Sequence, residues 1–598
     1  MKTNNNINWR AMLKVSGIVM MAALTMNVSA ETDTYTFPSA ESGTAYWDTS
    51  AGGWYLNDSE TPTDILPPAS GTDPIVNVDV VIGNGTDPLV FEYGFGTPTG
   101  IAGHVPRNSL TISDNVTLKL LGNTGTYYYS NSRIVYNTVT NNSLMEVLGS
   151  RTFSIDTAGR PTVLFTNSGT ISNQTSGATL LMNAAITNTD GLIDIGAGAT
   201  LSIGSSGSTG IYGGVLKLAG GARFDTGGGI TDNLYLSDVA IDHAGVMVVT
   251  NGGTSTGSRN LLFITTNGVF NNTGTVSVWQ GATHDFSTAS QKHTAIFTQS
   301  GTNVFTNTGV VSVLNESVIN SNAYNEAGVA FTVSNSAAAG GKFTNEGLID
   351  LRNNAHGTYS NTTYAQFTVN ANADFTNSGT INIALGDDVT DDALHTAALF
   401  INTDWTNTGV ITIDRAGKEH ATASFELNSK TYTQTGANSE TRLLNGGQLK
   451  AGAITIDEGL LGGAGRIDAA TSINTGATLD PDGTLTLTSL IMNEGSILNF
   501  SVTDNDFLQI NGDLSFLGAK LTLTDYTGGD PLLLASYTGD LLGQNLDVTS
   551  ITDAVLNFDT TGKIYLSIIP EPSPAFLLLL GALILILMRK SHRKNTER

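Results

Sequence analysis

Three histidines stand just ahead of similar small apolar phrases, HTAIF at His293, HTAALF at His395 and HATASF at His420. Imidazole is a common metal ligand and titrates near neutral pH, so histidines at a repeated position are the first place to look for chemistry. GDDVTDDALH places Asp387, Asp388, Asp391 and Asp392 directly before His395, and Glu419 directly before His420. If these phrases lie on consecutive coils, stacked about 4.8 Å apart, His395 and His420 sit side by side near Asp392 and Glu419. That arrangement could bind a transition metal or respond to pH. Repetition of the phrase explains the same pattern with no ligand, and a solvated acidic loop explains the aspartates. This second reading is adopted, with no catalytic, cofactor or metal residue assigned.

Paired carboxylates also serve glycoside hydrolysis and calcium binding. The GDDVTDDALH spacing fits no calcium loop and lacks the usual internal glycine. A lyase or hydrolase would also need a basic residue, for which Arg352, Arg415 and Lys418 are the nearest options. DPDG at Asp480 and DNDF at Asp504 read as turns. P-loop, nucleotide-binding glycine, GxSxG, HExxH and EF-hand patterns are not found. With no cysteine in the chain, disulfides, thiolate metal sites and cysteine catalysis are excluded.

The elements that must position these residues are short strands. At 598 residues the chain exceeds what one compact core can serve, so it is either several domains or an elongated array. Charged residues are 13% of it and glycines number 67, a balance of many tight turns and few salt-bridged helices. The net charge of −25 disfavours nucleic acid as a partner.

One phrase recurs: FTNSGTIS at Phe165, FNNTGTVSV at Phe270, FTNTGVVSV at Phe305, FTNEGLIDL at Phe343, FTNSGTINI at Phe375 and WTNTGVITI at Trp405. ITNTDGLIDI at Ile186 is a looser copy and YTQTGANSE at Tyr432 a decayed one. From Phe270 onward the starts are 35, 38, 32, 30 and 27 residues apart. Each copy follows a second apolar phrase such as AIFTQSGTNV or AQFTVNANAD. Alternate residues share a strand face, so Val311 with Val313 and Ile381 with Ile383 should point inward together. The corner glycine is expected to supply a positive φ, and asparagines stacked on successive coils could form a ladder. One unit cannot bury its own inner face, but stacked units can. The expected fold is all-β, a right-handed parallel β-helix. The variable segments all fall between the I-x-I strand and the next coil, so five loops should leave at one corner, carrying His284, His293, His356, His395 and His420. Insertions on one face of a repeat array mark a candidate binding face.

The two ends differ from this middle. Lys2, Arg10 and Lys14, the apolar run Val15 to Val28 and the small residues before the Ala30/Glu31 junction read as a secretory signal. The other end carries Pro570, Glu571 and Pro572, an apolar run from Ala575 to Met588, and the basic residues Arg589, Lys590, Arg593 and Lys594. That run falls short of the roughly 20 apolar residues of a comfortable span, and the basic cluster should keep its end in the cytoplasm. This tail resembles the PEP-CTERM sorting signal in order, spacing and position. The resemblance implies recognition by an exosortase-type membrane protease, an inner-membrane intermediate held through Ala575 to Met588, and delivery to the surface or matrix of a Gram-negative bacterium, often with exopolysaccharide.

LLGGAGRI, GATLDPDGTLTL and GSILNFSVTDNDFLQINGDLSF, between Leu460 and Phe516, resemble the autotransporter-associated β-strand repeat. That family's members finish with an outer-membrane barrel, whereas here a helix-like run is expected. The chain is therefore divided into a signal peptide (1–30), a β-rich cap with first coils (31–160), the repeat β-helix (161–439), an autotransporter-repeat-like region (440–567) and a sorting segment with a transmembrane-like helix (568–598). The function expected is a non-enzymatic surface or matrix scaffold associated with exopolysaccharide. The alternative is a polysaccharide lyase or glycoside hydrolase on the same scaffold.

Overall fold

Strand pairing follows the repeat. In the computed structural model the described residues are the strands 33–34, 43–48, 53–56, 78–82 and 89–94, most of 107–568 apart from some connections between strands, and the helix 574–595. Among them 49 strands form one hydrogen-bonded sheet. Each coil of the repeat region contributes three strands. Lys292–Gly301 lies on a first face, Val304–Asn307 on a second and Val310–Asn315 on a third. Their partners one coil on, Glu326–Asn335, Lys342–Asn345 and Leu348–Asn353, are all parallel and in register. This is a parallel β-helix, as the repeat predicts.

The three faces continue past residue 440 without a break. Glu440 pairs with Val410 behind it and with Leu460 ahead, and Leu460 with Thr478, so coils shorten there to about 18–20 residues. At the far end Lys563–Ile568 pairs antiparallel with both Leu532–Tyr537 and Ala554–Asp559, closing the parallel run. Near the start Gly43–Asp48 pairs antiparallel with Gly53–Leu56, Trp47 opposite Trp54, and parallel with Val78–Ile82.

Inside the coils the alternation is complete. Val311, Val313, Ile381 and Ile383 are fully buried. Two columns of rings run along the axis. Phe270, Phe305 and Phe343 stack at 4.3 and 4.6 Å on the second face, while Phe297, Phe331 and Phe367 stack at 4.5 and 4.9 Å on the first. The columns meet edge to face, Phe305 against Phe331 at 87° and Phe343 against Phe367 at 85°. Both geometries are favoured by the ring quadrupole.

A side-chain ladder parallels the rings. Each corner asparagine donates its Nδ2 to the Oδ1 of the next: Asn272 to Asn307 at 2.6 Å, Asn307 to Asn345 at 2.7 Å, Asn345 to Asn377 at 2.6 Å and Asn377 to Asn407 at 2.8 Å. The chain of amide-to-amide bonds ends at Asn407, whose Nδ2 donates to the hydroxyl of the buried Tyr432, itself bonded to Thr441.

Two expectations about this corner are corrected. Of the repeat glycines only Gly436, in the decayed copy at Tyr432, has the expected positive φ; Gly169, Gly274, Gly309, Gly347, Gly379 and Gly409 have none. They are required because backbones stack too closely for a side chain: a Cβ on Gly309, Gly347, Gly379 or Gly409 would lie 2.1–2.2 Å from the carbonyl oxygen of the glycine one coil before. The copies at Phe165 and Ile186 also occupy another corner. Phe165 is in register with Ile186 on the first face, whereas Phe270 pairs with Ile241 on the second. Asn141, Asn167 and Asn188 therefore form a separate ladder.

The C-terminal tail is one helix, α1 (Pro574–Asn595). Among the described residues no helix is long and apolar enough to cross a membrane. The expected transmembrane-like helix is corrected on this point, because the apolar stretch stops at Met588 and polar and basic residues complete α1. Phe576 to Met588 are largely exposed, as is Arg589; Lys590, Arg593 and Lys594 lie on the same helix. The signal segment with Ala30 and Glu31, and the Pro570, Glu571 and Pro572 tripeptide, lie outside the described residues.

His243 heads the longer ladder, in register with Asn272. Its Nε2 lies 2.9 Å from the Thr275 carbonyl and so carries the proton, leaving Nδ1 a bare acceptor. Buried Nδ1 and the Asn272 Oδ1 are both without a hydrogen-bond partner. Burial lowers the imidazole pKa from 6.5, outweighing the bond to Thr275 and the charge of Asp242. The unfolded chain therefore takes up the proton first. Stability is unaffected by this group above pH 6.5 and is lost as pH falls from there towards the folded value.

Two measurements test the ladder. Asn345→Ala strands Asn307 and Asn377 and should cost about 1–3 kcal/mol for each buried group left unsatisfied, lowering the urea midpoint. Outward-facing Thr344→Ala should change it by less than about 0.5 kcal/mol. His243→Asn supplies a donor for Asn272 and should remove part of the stability loss seen as pH falls below 6.5. An unchanged pH slope would mean that His243 does not titrate in that window.

Candidate functional site

The corner between the third face and the next first face is where the variable loops leave, as the repeat alignment predicts. Its inner lining is polar and satisfied by backbone. Asn315 donates to the Ala327 and Tyr364 carbonyls at 2.9 and 3.1 Å and accepts from Ser317 N and Oγ. One coil on, Asn353 donates to the carbonyls of Thr363 and Thr396 and accepts from Ala355 N. These bonds pin the root of each loop, and they place the histidines.

His293, Ala327, Thr363 and His395 occupy one column on successive coils. His293 and His395 are buried at 0% and 1% exposure. The His395 Nδ1 is 2.6 Å from the Thr363 hydroxyl, which in turn bonds Asn353. His395 is thus part of a buried hydrogen-bonded network. His420 does not join it. Thr396 pairs with Thr422, so the position next to His395 falls to the buried Ala421, and His420 is exposed one residue earlier. HTAALF and HATASF are equal in length, but Phe425 pairs with Leu399 and not with Phe400, and this one-residue slip moves the ring from inside to outside. The expected side-by-side pair of His395 and His420 is therefore corrected. Asp392 and Glu419, with Asp387, Asp388 and Asp391, lie outside the described residues, among which no group of three His, Asp or Glu is placed to hold a metal.

The remaining loop histidines are apart from these: the backbone of His284 pairs with Ile319, and half-buried His356 bridges to Val318. Of the basic candidates, Arg352 is held by Asp350 at 2.9 Å, Lys418 is half-buried, and Arg415 lines an open cleft with Arg466. Of the two predicted turns, DNDF begins in one at Asp504 and Asn505, whereas DPDG is corrected: Asp480 to Gly483 lie within the strand Thr478–Met492, at a shift of register. Asp506 accepts from Gly483 N and Ser501 N. Burial, together with Asp480 and Asp504, raises its carboxyl pKa against the lowering effect of those two bonds.

Sequence reasoning missed the outward aromatics at this corner. Tyr364 lies over Gly328, where a Cβ would come within 2.2 Å of the ring. Burial, then the charge and hydrogen bond of Glu326, raises its pKa well above the ordinary value for a phenol. Trp279 donates its indole N–H to Glu316 at 3.0 Å. Each is an aromatic at an outward position of an alternating strand, Tyr364 in Thr362–Val369 and Trp279 in Thr275–Gln280, and that is the signal that could have found them.

Three comparisons with known proteins complete the description. Neither a family model nor a curated protein matches the chain. Among solved structures, the crystal structure of the autotransporter UpaB from E. coli strain CFT073 aligns over 81% of this chain and 98% of its own, at 13% identity and a TM-score of 0.21. The fold assignment rests on the parallel ladder of the chain itself.

Proposed function

We propose that this chain is an exported, non-enzymatic scaffold of a Gram-negative cell surface or extracellular matrix, associated with exopolysaccharide. The observation that carries the reading is the outward register of small polar residues. Thr306, Thr344 and Thr376 occupy one position on successive coils, and Thr298, Thr332 and Thr368 do the same on the first face. Hydroxyls repeated about every 4.8 Å along a stacked array suit a repeating polymer, bound by many weak contacts whose avidity exceeds any one of them. Inward-facing histidines and asparagines are committed to holding the coils together. A fold of this kind carries no activity by itself.

The ends supply the route in this reading. The N-terminal segment directs export, and the Pro570, Glu571 and Pro572 stretch with α1 acts as an address read at the inner membrane by an exosortase-type protease. An apolar helix too short for a full span, followed by basic residues, suits a transient membrane intermediate better than a permanent anchor.

Two experiments test this. The purified protein should co-sediment with the exopolysaccharide of its own source without shortening it; shortened chains would instead favour the lyase or hydrolase. In the native host, replacing Pro570, Glu571 and Pro572 with alanine should leave α1 attached, seen by mass spectrometry as a larger, membrane-associated protein. Normal processing of that variant would refute the sorting role.

A further inference from the structure

Arg415 stands out by its lack of a counter-charge. The chain holds 52 acidic residues against 27 lysines and arginines. Among the described residues Arg223, Arg352, Arg442 and Arg466 each have a carboxylate within 4 Å, and Arg415 has none. Its Nε is buried without a hydrogen-bond partner. A guanidinium half-removed from water and left unpaired costs free energy unless something else bonds it.

The backbone makes room for it. Arg415 opens the last of the variable loops, directly after the third-face strand Val410–Asp414. In the next coil the same corner is turned by Asn445 and Gly446, both with positive φ. A Cβ on Gly446 would lie 2.9–3.0 Å from the Arg415 guanidinium, so the absent side chain is the seat in which the group rests. Beyond it an open cleft of about 410 Å³ is walled by Arg415, Gln448, Arg466 and Thr484, floored by Gly446 and Gly465. Gln448 and Arg466 face outward at one register on adjacent coils, and Asp468 holds the Arg466 Nε at 2.6 Å.

We propose that this cleft binds the carboxylate of an acidic sugar residue, with Arg415 as the principal contact and Arg466 beside it. The planar guanidinium matches a carboxylate in a two-pronged fashion. Gln448 and Thr484 offer neutral donors and acceptors for the hydroxyls of the same ring. The proposal rests on the polysaccharide-association reading and specifies one place and one chemistry for it. The strongly negative remainder of the surface repels an anionic chain, so the contact is short-ranged, and screening of that repulsion at moderate salt favours it.

The test is calorimetric titration of the full chain in detergent with trigalacturonate, neutral maltotriose and inorganic sulfate. It compares the wild type with Arg415→Gln, Arg466→Gln and Lys450→Gln, after circular dichroism has shown each to be folded. Trigalacturonate should bind the wild type, with affinity falling at least about tenfold in Arg415→Gln and less in Arg466→Gln. Lys450→Gln removes a charge held by Glu426 outside the cleft and should leave it unchanged. Equal loss in Arg415→Gln and Lys450→Gln would mean diffuse attraction and overturn the site, as would wild-type affinity in Arg415→Gln. Sulfate binding without trigalacturonate would overturn the sugar assignment. Maltotriose binding indifferent to Arg415 would overturn the cleft while supporting polysaccharide association. If no sugar binds the wild type, the cleft assignment fails, and co-sedimentation with the native polymer decides the broader reading separately.

Discussion

The structure depends on how closely one coil's backbone can lie on the next at the repeat corner. Only glycine fits there: a methyl group on Gly347 would meet the Gly309 carbonyl at 2.2 Å. That approach brings Asn307, Asn345 and Asn377 within hydrogen-bond reach of one another. Each asparagine uses its amide N–H to reach the next coil and its carbonyl to receive from the previous one, so a buried polar column is satisfied along its length. Ring stacking follows from the same spacing. Phe305 and Phe343 are 4.6 Å apart and nearly parallel because their strands are neighbours in the ladder.

A column of this kind tolerates substitution only where the replacement completes the same bonds. Gln434 stands in the Asn column after Asn407 and reaches the Leu460 carbonyl at 3.0 Å, as the asparagines reach theirs. His243 at the other end supplies the bond to the following coil but offers nothing to Asn272 Oδ1. The ladder therefore begins with a defect and ends with a cap at Tyr432. The two preceding coils carry apolar Ile195 and Leu218 in that column, with Asn173 before them, while Asn167 and Asn188 bond each other at another corner. His243 marks the place where the polar corner is handed from one edge of the solenoid to another.

The fold was legible because the phrase F-T-N-x-G-x-I-x-I encodes a strand, a corner and a strand, and its near-constant interval fixes the coil. The loop corner was legible for the same reason. Other features needed the third dimension. The phrase at Phe165 is almost identical to that at Phe375 yet lies on a different face, since the corner motif reports local geometry and not position around the coil. The corner glycine is obligatory for a reason that a local reading of φ does not contain: its constraint comes from a residue one coil before. The expected histidine pair failed on a one-residue slip between HTAALF and HATASF, and alternation turns such a slip into a change from core to surface. In the sequence Arg415 is simply a basic residue; its unpaired state and its seat over Gly446 are properties of two coils together.

A division of labour between inside and outside follows from this. Inward polar groups such as His395, Thr363 and Asn353 bond one another or the backbone, so their chemistry is used up in holding the loop roots. What the coils present outward is different: threonine columns along the faces, Tyr364 and Trp279 near the loop corner, and the cleft under Arg415. That cleft lies where the coils shorten. When the long loops of the earlier coils give way to the tight Asn445–Gly446 turn, Arg415 no longer has a loop stacked over it and lies instead across bare backbone. A change in coil length along an otherwise uniform array creates a recess that a strict repeat would fill, and the unpaired guanidinium of Arg415 occupies it.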